Sequence, residues 1–299
     1  MIDISIIIVN YNVKDYLVTC LQSINKYSPS KLSTEIIVID NNSKDGSVEY
    51  LNNNFPKINL IINKSNEGFS KGVNHAFKSA SGKYLFILNP DTYLLNDSLS
   101  ILYNFMEEKE EIGILGPGLF SSSMKYQQSY WRTPTLINTS LSLMHLDFFN
   151  FHKNYSFQDR NEVETISGGA LFVKYSIFET LNGFDNNLFW MEDIDFCYRT
   201  SKLGYKIYYL PSAKIVHHKG RSAEKNLSLA IFNQLNSKIK YFKKHHSKTE
   251  LSLLKSLILL ISFLKVILFS FFSFLNGKFS YTNKVNGYKL VIKTILKRN

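Results

Sequence analysis

Cysteine is scarce in this sequence, because its 299 residues include only two, Cys20 and Cys197. Two cysteines cannot form a disulfide framework or a cysteine-rich zinc site, so we expect both to be reduced and buried. The chain also lacks a G-x-G-x-x-G turn after its first apolar run and a G-x-x-x-x-G-K-[ST] loop anywhere. These absences argue against an ordinary dinucleotide site and against a P-loop. No basic start precedes a long apolar core, so we predict no secretion signal and expect a cytosolic protein.

Acidic residues are nearly absent from one end of the chain. Residues 234–299 contain 13 basic residues against one acid, Glu250, whereas residues 1–233 contain 22 basic and 23 acidic residues. The formal net charge of +11 therefore arises in the C-terminal part. We predict a globular domain over residues 1–233 and a basic tail over residues 234–299. Such a tail favours contact with nucleic acid or with an anionic membrane surface.

Apolar runs and helical spacings alternate over the first ninety residues. The pattern predicts strands over 4–9, 36–39, 60–62 and 84–88, separated by helices over 15–24, 47–51 and 68–80. This alternation predicts an α/β fold with a mostly parallel sheet and helices on both faces, which binds ligands at the carboxyl ends of its strands. Asp40 and Asp91 follow the second and fourth strands at that edge. Each alone is typical of a turn, and the two together favour a binding site.

The second half of the chain begins with an irregular, aromatic stretch over residues 121–165. A long segment of this kind usually binds a ligand or closes over one. Beyond it, the pattern predicts strands over 165–173, 205–210 and 213–217, with a helix over 196–203.

Acids and histidines mark two further candidate positions. Glu192, Asp193 and Asp195 stand at a predicted helix start, where they either pair with the helix dipole or supply a general base. His217 and His218 end a strand and point to opposite faces, so at most one of them can be a ligand. A histidine near the aspartate at position 91 would form an Asp/His pair suited to a divalent cation.

Eight short motifs in this order resemble those of the family 2 glycosyltransferases, which have a GT-A fold. They occupy residues 5–12, 38–47, 66–70, 88–92, 168–170, 183–185, 191–195 and 217–220. Each motif is short, but their order and spacing over residues 4–222 are specific. The Asn-Pro-Asp-Thr form of residues 89–92 most resembles the bacterial branch that includes rhamnosyltransferases of surface polysaccharide synthesis.

The resemblance implies a role for each matching residue. The implied nucleotide-sugar site consists of Asn10, Asp40, Asn42, Asp45, Asn66, Gly68, Asp91, Gly168 and Gly169. Asp193 matches the catalytic base, while Asp91 and His217 match groups that hold Mg²⁺ or Mn²⁺ and the diphosphate. We expect Trp131, Trp190 and Glu192 on the acceptor side. The sequence departs from the family's D-x-D motif at Asn89, which removes one metal-binding carboxylate.

These residue types fit one reaction. Negative charge grows on the leaving diphosphate, and a cation held by Asp91 would neutralise it. The acceptor hydroxyl loses its proton to a carboxylate, its oxygen attacks the anomeric carbon in line with the leaving diphosphate, and this single displacement inverts the anomeric centre. We therefore predict an inverting glycosyltransferase that uses a nucleoside-diphosphate sugar and a saccharide or lipid-linked acceptor. The alternatives are a catalytically silent sugar-nucleotide-binding or scaffold protein, which Asn89 favours, and a nucleic-acid binder, for which the tail contains no recognised module.

The apolar segment over residues 253–275 is interrupted by Lys255 and Lys265. Neither uncharged part approaches the roughly 20 residues that a bilayer span requires. Wound as a helix, its lysines and serines fall in one half and its large apolar residues in the other. We predict that this helix lies in the plane of an anionic membrane surface, on the inner face of the cell membrane. A packing or dimer helix, and a span with snorkelling lysines, are the alternatives.

Overall fold

The structure is a computed structural model that describes residues 2–146, 158–218, 227–276 and 279–297. The chain divides into two compact units. The first comprises Met1–Thr133, Asn154–Asn186 and Glu192–Lys219, and the second comprises Pro134–Lys153, Asn187–Met191 and Gly220–Asn299. The second unit therefore begins before residue 234 and includes two earlier segments. The boundary at residue 234 was drawn from charge alone, and charge does not record which segments pack together.

The first unit contains the sheet. Its strands are β1 Ile4–Asn10, β2 Thr34–Asp40, β3 Asn59–Ile62, β4 Tyr84–Leu88, β5 Thr92–Leu94, β6 Ile112–Phe120, β7 Tyr126–Gln127, β8 Tyr130–Trp131, β9 Asn161–Glu162, β10 Thr165–Ile166, β11 Ala170–Lys174 and β12 Lys206–His217. Its helices are α1 Lys14–Lys26, α2 Ser47–Asn54, α3 Phe69–Phe77, α4 Ser98–Glu108, α6 Tyr175–Thr180 and α7 Glu192–Lys202, while α5 Leu136–Leu143 belongs to the second unit.

The strand order is β3-β2-β1-β4-β11-β6-β12-β5, with β7 paired to β6 and β9 paired to β12. Strands β3, β2, β1 and β4 run parallel, as do β6 and β12. Strand β11 runs antiparallel between β4 and β6. The predicted parallel β–α order is therefore confirmed, and β11 brings a later segment of the chain into its middle.

Strand β1 is buried on both of its faces. Ile4, Ile6 and Ile8 of β1 enter one core with residues of α1 and α4. Ile7 and Val9 enter the other core, with residues of α3 and α7. A strand covered on both sides needs no polar alternation, which explains its unbroken apolar sequence.

Both cysteines are free and buried, as predicted. Burial raises the pKa of the Cys20 thiol to about 12, and burial also raises that of Cys197. Neither thiol is a reactive nucleophile near neutral pH, because the thiolate is the reactive form.

Three parts of the chain differ from the prediction. Lys206–His217 forms one strand, β12, rather than two, with an irregularity between Leu210 and Lys214. Pro211 favours a break in the strand, but the irregularity in pairing accommodates it. Strand β5 and helix α4 were not predicted, although Asp97 caps α4 by accepting a hydrogen bond from the Ser100 amide. The stretch over 121–165 is not irregular throughout, because it contains β7, β8, α5 and β9.

The second unit is helical. Besides α5, it contains α8 Leu227–His245, α9 Lys248–Asn276 and α10 Phe279–Leu296, and α9 packs against the other three. By length and composition alone, one helix in the described part of the chain, Lys248–Leu275, could cross a membrane.

Helix α9 has buried and exposed sides. Leu254, Ile258 and Ser262 are buried, whereas several large apolar side chains are exposed to solvent. Those more than half exposed are Leu253 at 54%, Leu260 at 58%, Leu264 at 57%, Ile267 at 68%, Phe271 at 56%, Phe274 at 88% and Leu275 at 57%. Of the predicted polar half, Ser262 is buried, whereas Ser252, Ser256 and Ser270 are exposed. A helical wheel treats a helix alone and does not show which of its residues other helices cover.

Candidate functional site

The carboxyl end of β2 carries a buried carboxylate that orders the following loop. Asp40 lies opposite Asn10 in the β1–β2 register, and both residues are fully buried. One carboxylate oxygen accepts from Asn10 Nδ2 at 2.7 Å, and the other accepts from the Ser43 amide at 2.7 Å. Asp40 therefore helps to fix the loop over residues 41–46 through its hydrogen bond with the Ser43 amide.

Asn42 and Asp45 lie in that loop. Asn42 adopts a left-handed conformation at φ 65° and donates from Nδ2 to the Lys64 carbonyl at 3.0 Å. Asp45 accepts from the Lys14 amide at 2.8 Å and from Ser47. Although burial acts to raise the pKa of Asp45, these hydrogen bonds hold it below its ordinary value. The loop is thus fixed at both ends, and Asn42 remains partly accessible.

A second turn stands beside this loop, ahead of α3. Asn66 Oδ1 accepts from the Gly68 amide at 3.0 Å, and Gly68 has φ 85°. A Cβ on Gly68 would meet nothing within 4 Å, so backbone conformation rather than space requires glycine there. Asn41 Nδ2 donates to the Gly68 carbonyl at 3.3 Å, which joins the turn to the loop. The structure therefore gathers six of the predicted nucleotide-binding residues at one sheet edge: Asn10, Asp40, Asn42, Asp45, Asn66 and Gly68.

The end of β4 and the end of β12 meet at an aspartate and a histidine. Asp91 Oδ1 lies 3.4 Å from His217 Nε2. Asn89 Nδ2 also lies 3.4 Å from that ring nitrogen. His218 turns to the other side, where its ring lies 5.1 Å from that of Tyr16. The predicted division of the two histidines is therefore confirmed.

The segment Gly168-Gly169 connects this pair with the acidic cluster. A Cβ on Gly169 would lie 3.4 Å from both Asn89 Nδ2 and His217 Cε1. The Gly168 amide donates to Asp193 Oδ2 at 2.8 Å. One dipeptide thus contacts the Asp/His pair on one side and the candidate base on the other.

Asp193 lies in the first turn of α7, where its second oxygen accepts from the Ile194 amide at 2.8 Å. The residue as a whole is partly accessible, but its carboxyl group is enclosed by protein. Burial raises the pKa of Asp193, and the two amide hydrogen bonds only partly oppose this effect. A raised pKa makes the carboxylate a stronger base.

The other two acids of the cluster have different environments. Asp195 is fully buried and accepts from Arg199 Nε at 2.7 Å. Arg199 also donates to the Leu181 and Gly183 carbonyls, both at 2.9 Å. Asp195 is therefore structural. The (i, i+4) spacing of this ion pair on a helix was the available sequence signal for Arg199.

Asn74 was also missed in the sequence. Its Oδ1 accepts from the Phe184 amide at 2.9 Å, and its Nδ2 donates to the Phe184 carbonyl at 2.8 Å. Gly183 has φ 69°, and a Cβ there would lie 2.2 Å from Asn74 Oδ1. No local pattern could reveal a contact between residues 110 positions apart.

The predicted acceptor residues lie on different segments of the chain. Trp131 is partly exposed in the β8–β10 ribbon, opposite Thr165, three residues before the glycine pair. Glu192 is mostly buried at the start of α7. Trp190 is 42% exposed, has φ 69° and belongs to the second unit. Lys219 and Arg221, alternative partners for the diphosphate, lie outside the described residues.

Comparison with known proteins decides the family. The model described as glycosyl transferase family 2 matches residues 5–181, more than half of the chain. The chain belongs to this family. It is a glycosyltransferase, as the order of its motifs predicts. A second model, described as the N-terminal domain of galactosyltransferase, matches residues 150–221.

Two curated relatives of this glycosyltransferase are each 26% identical to it. One is the N-acetylglucosaminyl-diphospho-decaprenol L-rhamnosyltransferase of Mycobacterium tuberculosis, matched over 73% of this chain and 76% of its own. The other is the rhamnosyltransferase WbbL of Escherichia coli, matched over 80% of this chain and 92% of its own.

Solved structures confirm the GT-A fold of the glycosyltransferase. The mannosyltransferase PcManGT from Pyrobaculum calidifontis, in complex with GDP-Man and Mn²⁺, has a TM-score of 0.57 at 14% identity, covering 98% of this chain and 86% of its own. GalNAc-T7 with UDP, GalNAc and Mn²⁺ has a TM-score of 0.56 at 17% identity, covering 73% of this chain and 44% of its own.

The donor set at the Asp/His pair of this glycosyltransferase fits a divalent cation. The described residues contain no group of three or more His, Cys, Asp or Glu side chains that could hold a metal ion. Asp91 and His217 nevertheless place an oxygen and a nitrogen 3.4 Å apart, a separation that two bonds of about 2.1 Å can span. His217 Nδ1 is buried without a hydrogen-bond partner among the described residues, so none of them determines which ring nitrogen carries the proton. Two protein ligands suffice where substrate phosphates supply others, as is usual for Mg²⁺.

Proposed function

We propose that this glycosyltransferase transfers a sugar, with inversion, from a nucleoside-diphosphate donor to a saccharide or lipid-linked acceptor in surface polysaccharide synthesis. One observation carries the proposal. The Gly168-Gly169 segment contacts Asp193 through a backbone amide and lies against Asn89 and His217. A base and a phosphate-binding pair are therefore held by the same short piece of backbone.

The donor nucleotide is assigned to the edge formed by the ends of β1 and β2. Asn42 and the backbone of residues 41–46 are the parts of this edge that a ligand can reach. Asp40 and Asp45 act through the loop, because their oxygens already accept hydrogen bonds from it and its flanks. This assignment keeps the predicted residues and divides them into contacting and positioning groups.

Asp91 and His217 would hold Mg²⁺ or Mn²⁺. Such a cation, when bound, neutralises the charge that grows on the leaving diphosphate. The donor set supports this role, and so does the Mn²⁺ in two structures of the same fold. Asn89, in place of an acid, leaves fewer protein charges on the cation than a D-x-D motif supplies.

Asp193 is assigned as the base that accepts the proton of the acceptor hydroxyl. Its two hydrogen bonds fix the orientation of the carboxylate, and burial increases its basicity. A single fixed base suits direct displacement, which inverts the anomeric carbon. A rhamnosyl donor and a lipid-linked acceptor are the first candidates, because two relatives bear the corresponding names.

The purified full-length protein tests this proposal directly. We expect one nucleoside-diphosphate sugar, with a rhamnosyl donor tried first, to raise the melting temperature in the presence of Mn²⁺. At a free concentration of 100 times Kd, the expected stabilisation is about 2.7 kcal/mol. The same donor should release its nucleoside diphosphate when a saccharide or lipid-linked acceptor is added. Failure of every donor in a broad panel to bind or turn over would contradict the proposal.

We further propose that the apolar face of α9 attaches the enzyme to an anionic membrane surface, in the plane of the bilayer. Phe274 is 88% exposed and Ile267 is 68% exposed, which is costly for side chains of this kind in water. The basic C-terminal segment adds attraction of about 1 kcal/mol for each lysine or arginine near the surface. Since other helices cover the opposite face of α9, one side is available to lipid.

Replacing Leu260 and Ile267 together by glutamine should weaken binding to phosphatidylglycerol vesicles by about tenfold or more. Each fully buried Leu or Ile side chain contributes about 1.5–3 kcal/mol. Vesicle co-sedimentation measures the effect. Leu203→Gln, at a residue that is 46% exposed in the first unit, is the matched control and should not change binding. Equal vesicle binding by the double variant and the wild type would contradict the assignment. Wild-type protein that remains on the vesicles after high-salt and alkaline carbonate washes would also contradict it, because a spanning helix resists both washes.

A further inference from the structure

The second unit encloses a cavity of about 220 Å³ that has no part in the site described above. Helices α5, α8, α9 and α10 surround it. Its apolar wall includes Leu143, Leu235, Ile258 and Ile261, and its polar lining includes His145, Gln234, Lys265 and Tyr288. At about 30 Å³ for each water molecule in the liquid, the space equals roughly seven waters. A cavity with one apolar wall and a few polar groups is typical of a small-ligand site.

The central feature of this cavity is Lys265, which has no carboxylate partner among the residues that the structure describes. Lys265 Nζ lies 3.1 Å from His145 Nε2 and 5.8 Å from the centre of the Phe269 ring. An ammonium group only donates hydrogen bonds, so Lys265 is the donor in this contact. Neither partner supplies negative charge. A partly buried cation is stable when an anion and hydrogen bonds compensate for the lost water.

The described part of the second unit offers little negative charge for this purpose. Glu250 is its one acid among the described residues. The Glu250 carboxylate is already held by His246, at 3.2 Å, and by Ser247. Among the described residues of this unit, no free carboxylate is therefore available to Lys265, and a ligand could supply the anion.

His145 occupies a backbone position that usually favours glycine. It is the second residue after the end of α5, and its φ is 58°, in the left-handed region. The Leu146 amide donates to the Leu141 carbonyl at 2.8 Å, which closes the helix end around it. A glycine would suit this turn but would supply no imidazole. The histidine here brings an imidazole to the cavity beside Lys265.

We propose that this cavity binds the phosphate group of an anionic amphiphile. Lys265 and His145 would contact the phosphate, and Ile258 and Ile261 would contact the first methylenes of its chain. Lys265 belongs to α9, the helix whose apolar face is exposed to solvent. A lipid surface bound to that face would therefore contact the helix that carries Lys265. The proposal concerns a second site and does not depend on sugar transfer.

Hexyl phosphate, below its micellar concentration, is the probe for isothermal titration against the full-length protein. We expect it to bind more tightly than inorganic phosphate, which lacks the chain, and than hexyl glucoside, which lacks the charge. Lys265→Met should weaken hexyl phosphate binding by about tenfold or more, whereas Lys265→Arg should retain most of it. The matched control is Lys289→Met, which removes an exposed lysine of α10 outside the cavity lining.

The outcomes separate the parts of the proposal. Inorganic phosphate binding as tightly as hexyl phosphate would overturn the amphiphile, and equal losses in the Lys265 and Lys289 variants would overturn the cavity. If Lys265→Met fails to fold by circular dichroism, His145→Gln tests the same site and should also weaken binding. Vesicles containing phosphatidylglycerol or an isoprenyl phosphate then distinguish a bilayer headgroup from a carrier lipid. Because binding is measured without turnover, its failure is distinguishable from failure of the transferase assignment.

Discussion

Asp193→Asn is expected to bind the donor normally and to lose roughly 10²–10⁴ in kcat. The amide keeps the shape of the side chain, and its oxygen can still accept from the Gly168 amide, but it cannot take the acceptor's proton. The measurement is steady-state transfer together with donor binding by calorimetry. Near-normal turnover with intact donor binding would reject Asp193 as the base.

The neighbouring Asp195 supplies a matched control for this variant. It is fully buried and paired with Arg199 at 2.7 Å. Asp195→Asn breaks a buried ion pair, so we expect a loss of stability, on the order of 3–5 kcal/mol, and a lowered melting temperature. Asp193→Asn should instead melt near the wild-type temperature. The two variants change the same residue type two positions apart and separate a catalytic role from a structural one.

The pH profile gives an independent test of the same assignment. Asp193 acts as a base only when it is ionised, and burial raises its pKa above the ordinary value of 3.8. As the pH falls through that raised pKa, the ionised fraction falls, so kcat/KM should decline at a higher pH than an exposed aspartate would give. The residual activity of Asp193→Asn should lack this decline.

Asp91→Ala is expected to abolish metal-dependent donor binding, and excess EDTA should stop transfer by the wild-type enzyme. His217→Ala should weaken Mn²⁺-dependent binding less severely, because the carboxylate carries the charge. Donor titrations with and without Mn²⁺ measure both effects. Full activity in EDTA would contradict the metal role, and other groups would then have to stabilise the diphosphate.

Asn89→Asp is the complementary variant, since it restores the acid that the sequence lacks. Its side chain lies 3.4 Å from His217 Nε2, next to the proposed cation. We expect tighter Mn²⁺ binding and a lower Mn²⁺ concentration at half-maximal activity. An unchanged metal requirement would show that position 89 does not face the cation.

Local patterns predicted the strands that form the parallel half of the sheet. The runs over 4–9, 36–39, 60–62 and 84–88 lie within β1 to β4. Strands β1 and β4 are buried throughout, which requires a continuous apolar sequence, whereas the edge strand β3 is partly exposed. The same reasoning did not predict β5. It also treated residues 121–165 as one irregular stretch, although they contain the short strands β7, β8 and β9 and helix α5. Short strands of two or three residues have no periodicity to detect, and they form only because longer neighbours pair with them.

The site shows the same division. Asp91 and the acids at 192–195 could be found from their place at strand and helix ends. Their separate roles could not be predicted. Asp195 is structural because it pairs with Arg199, and Arg199 is held in place by carbonyls that lie 16 and 18 residues earlier in the chain. Asn74 depends on a turn 110 residues away. Such pairs are set by how the chain folds back, which no single segment encodes.

The sequence by itself determined the family, the order of the strands along the chain and the basic character of the C-terminal segment, because motifs, apolar runs and charge are local properties. Tertiary structure alone decided that Gly168-Gly169 links Asp193 to the Asp/His pair. It also decided which side of α9 faces solvent. A helical wheel places Ser256 and Ser262 on the same polar side, but the fold buries Ser262, leaves Ser256 exposed and leaves several large apolar side chains exposed as well. Burial depends on which segments meet in space, and that information belongs to the whole fold.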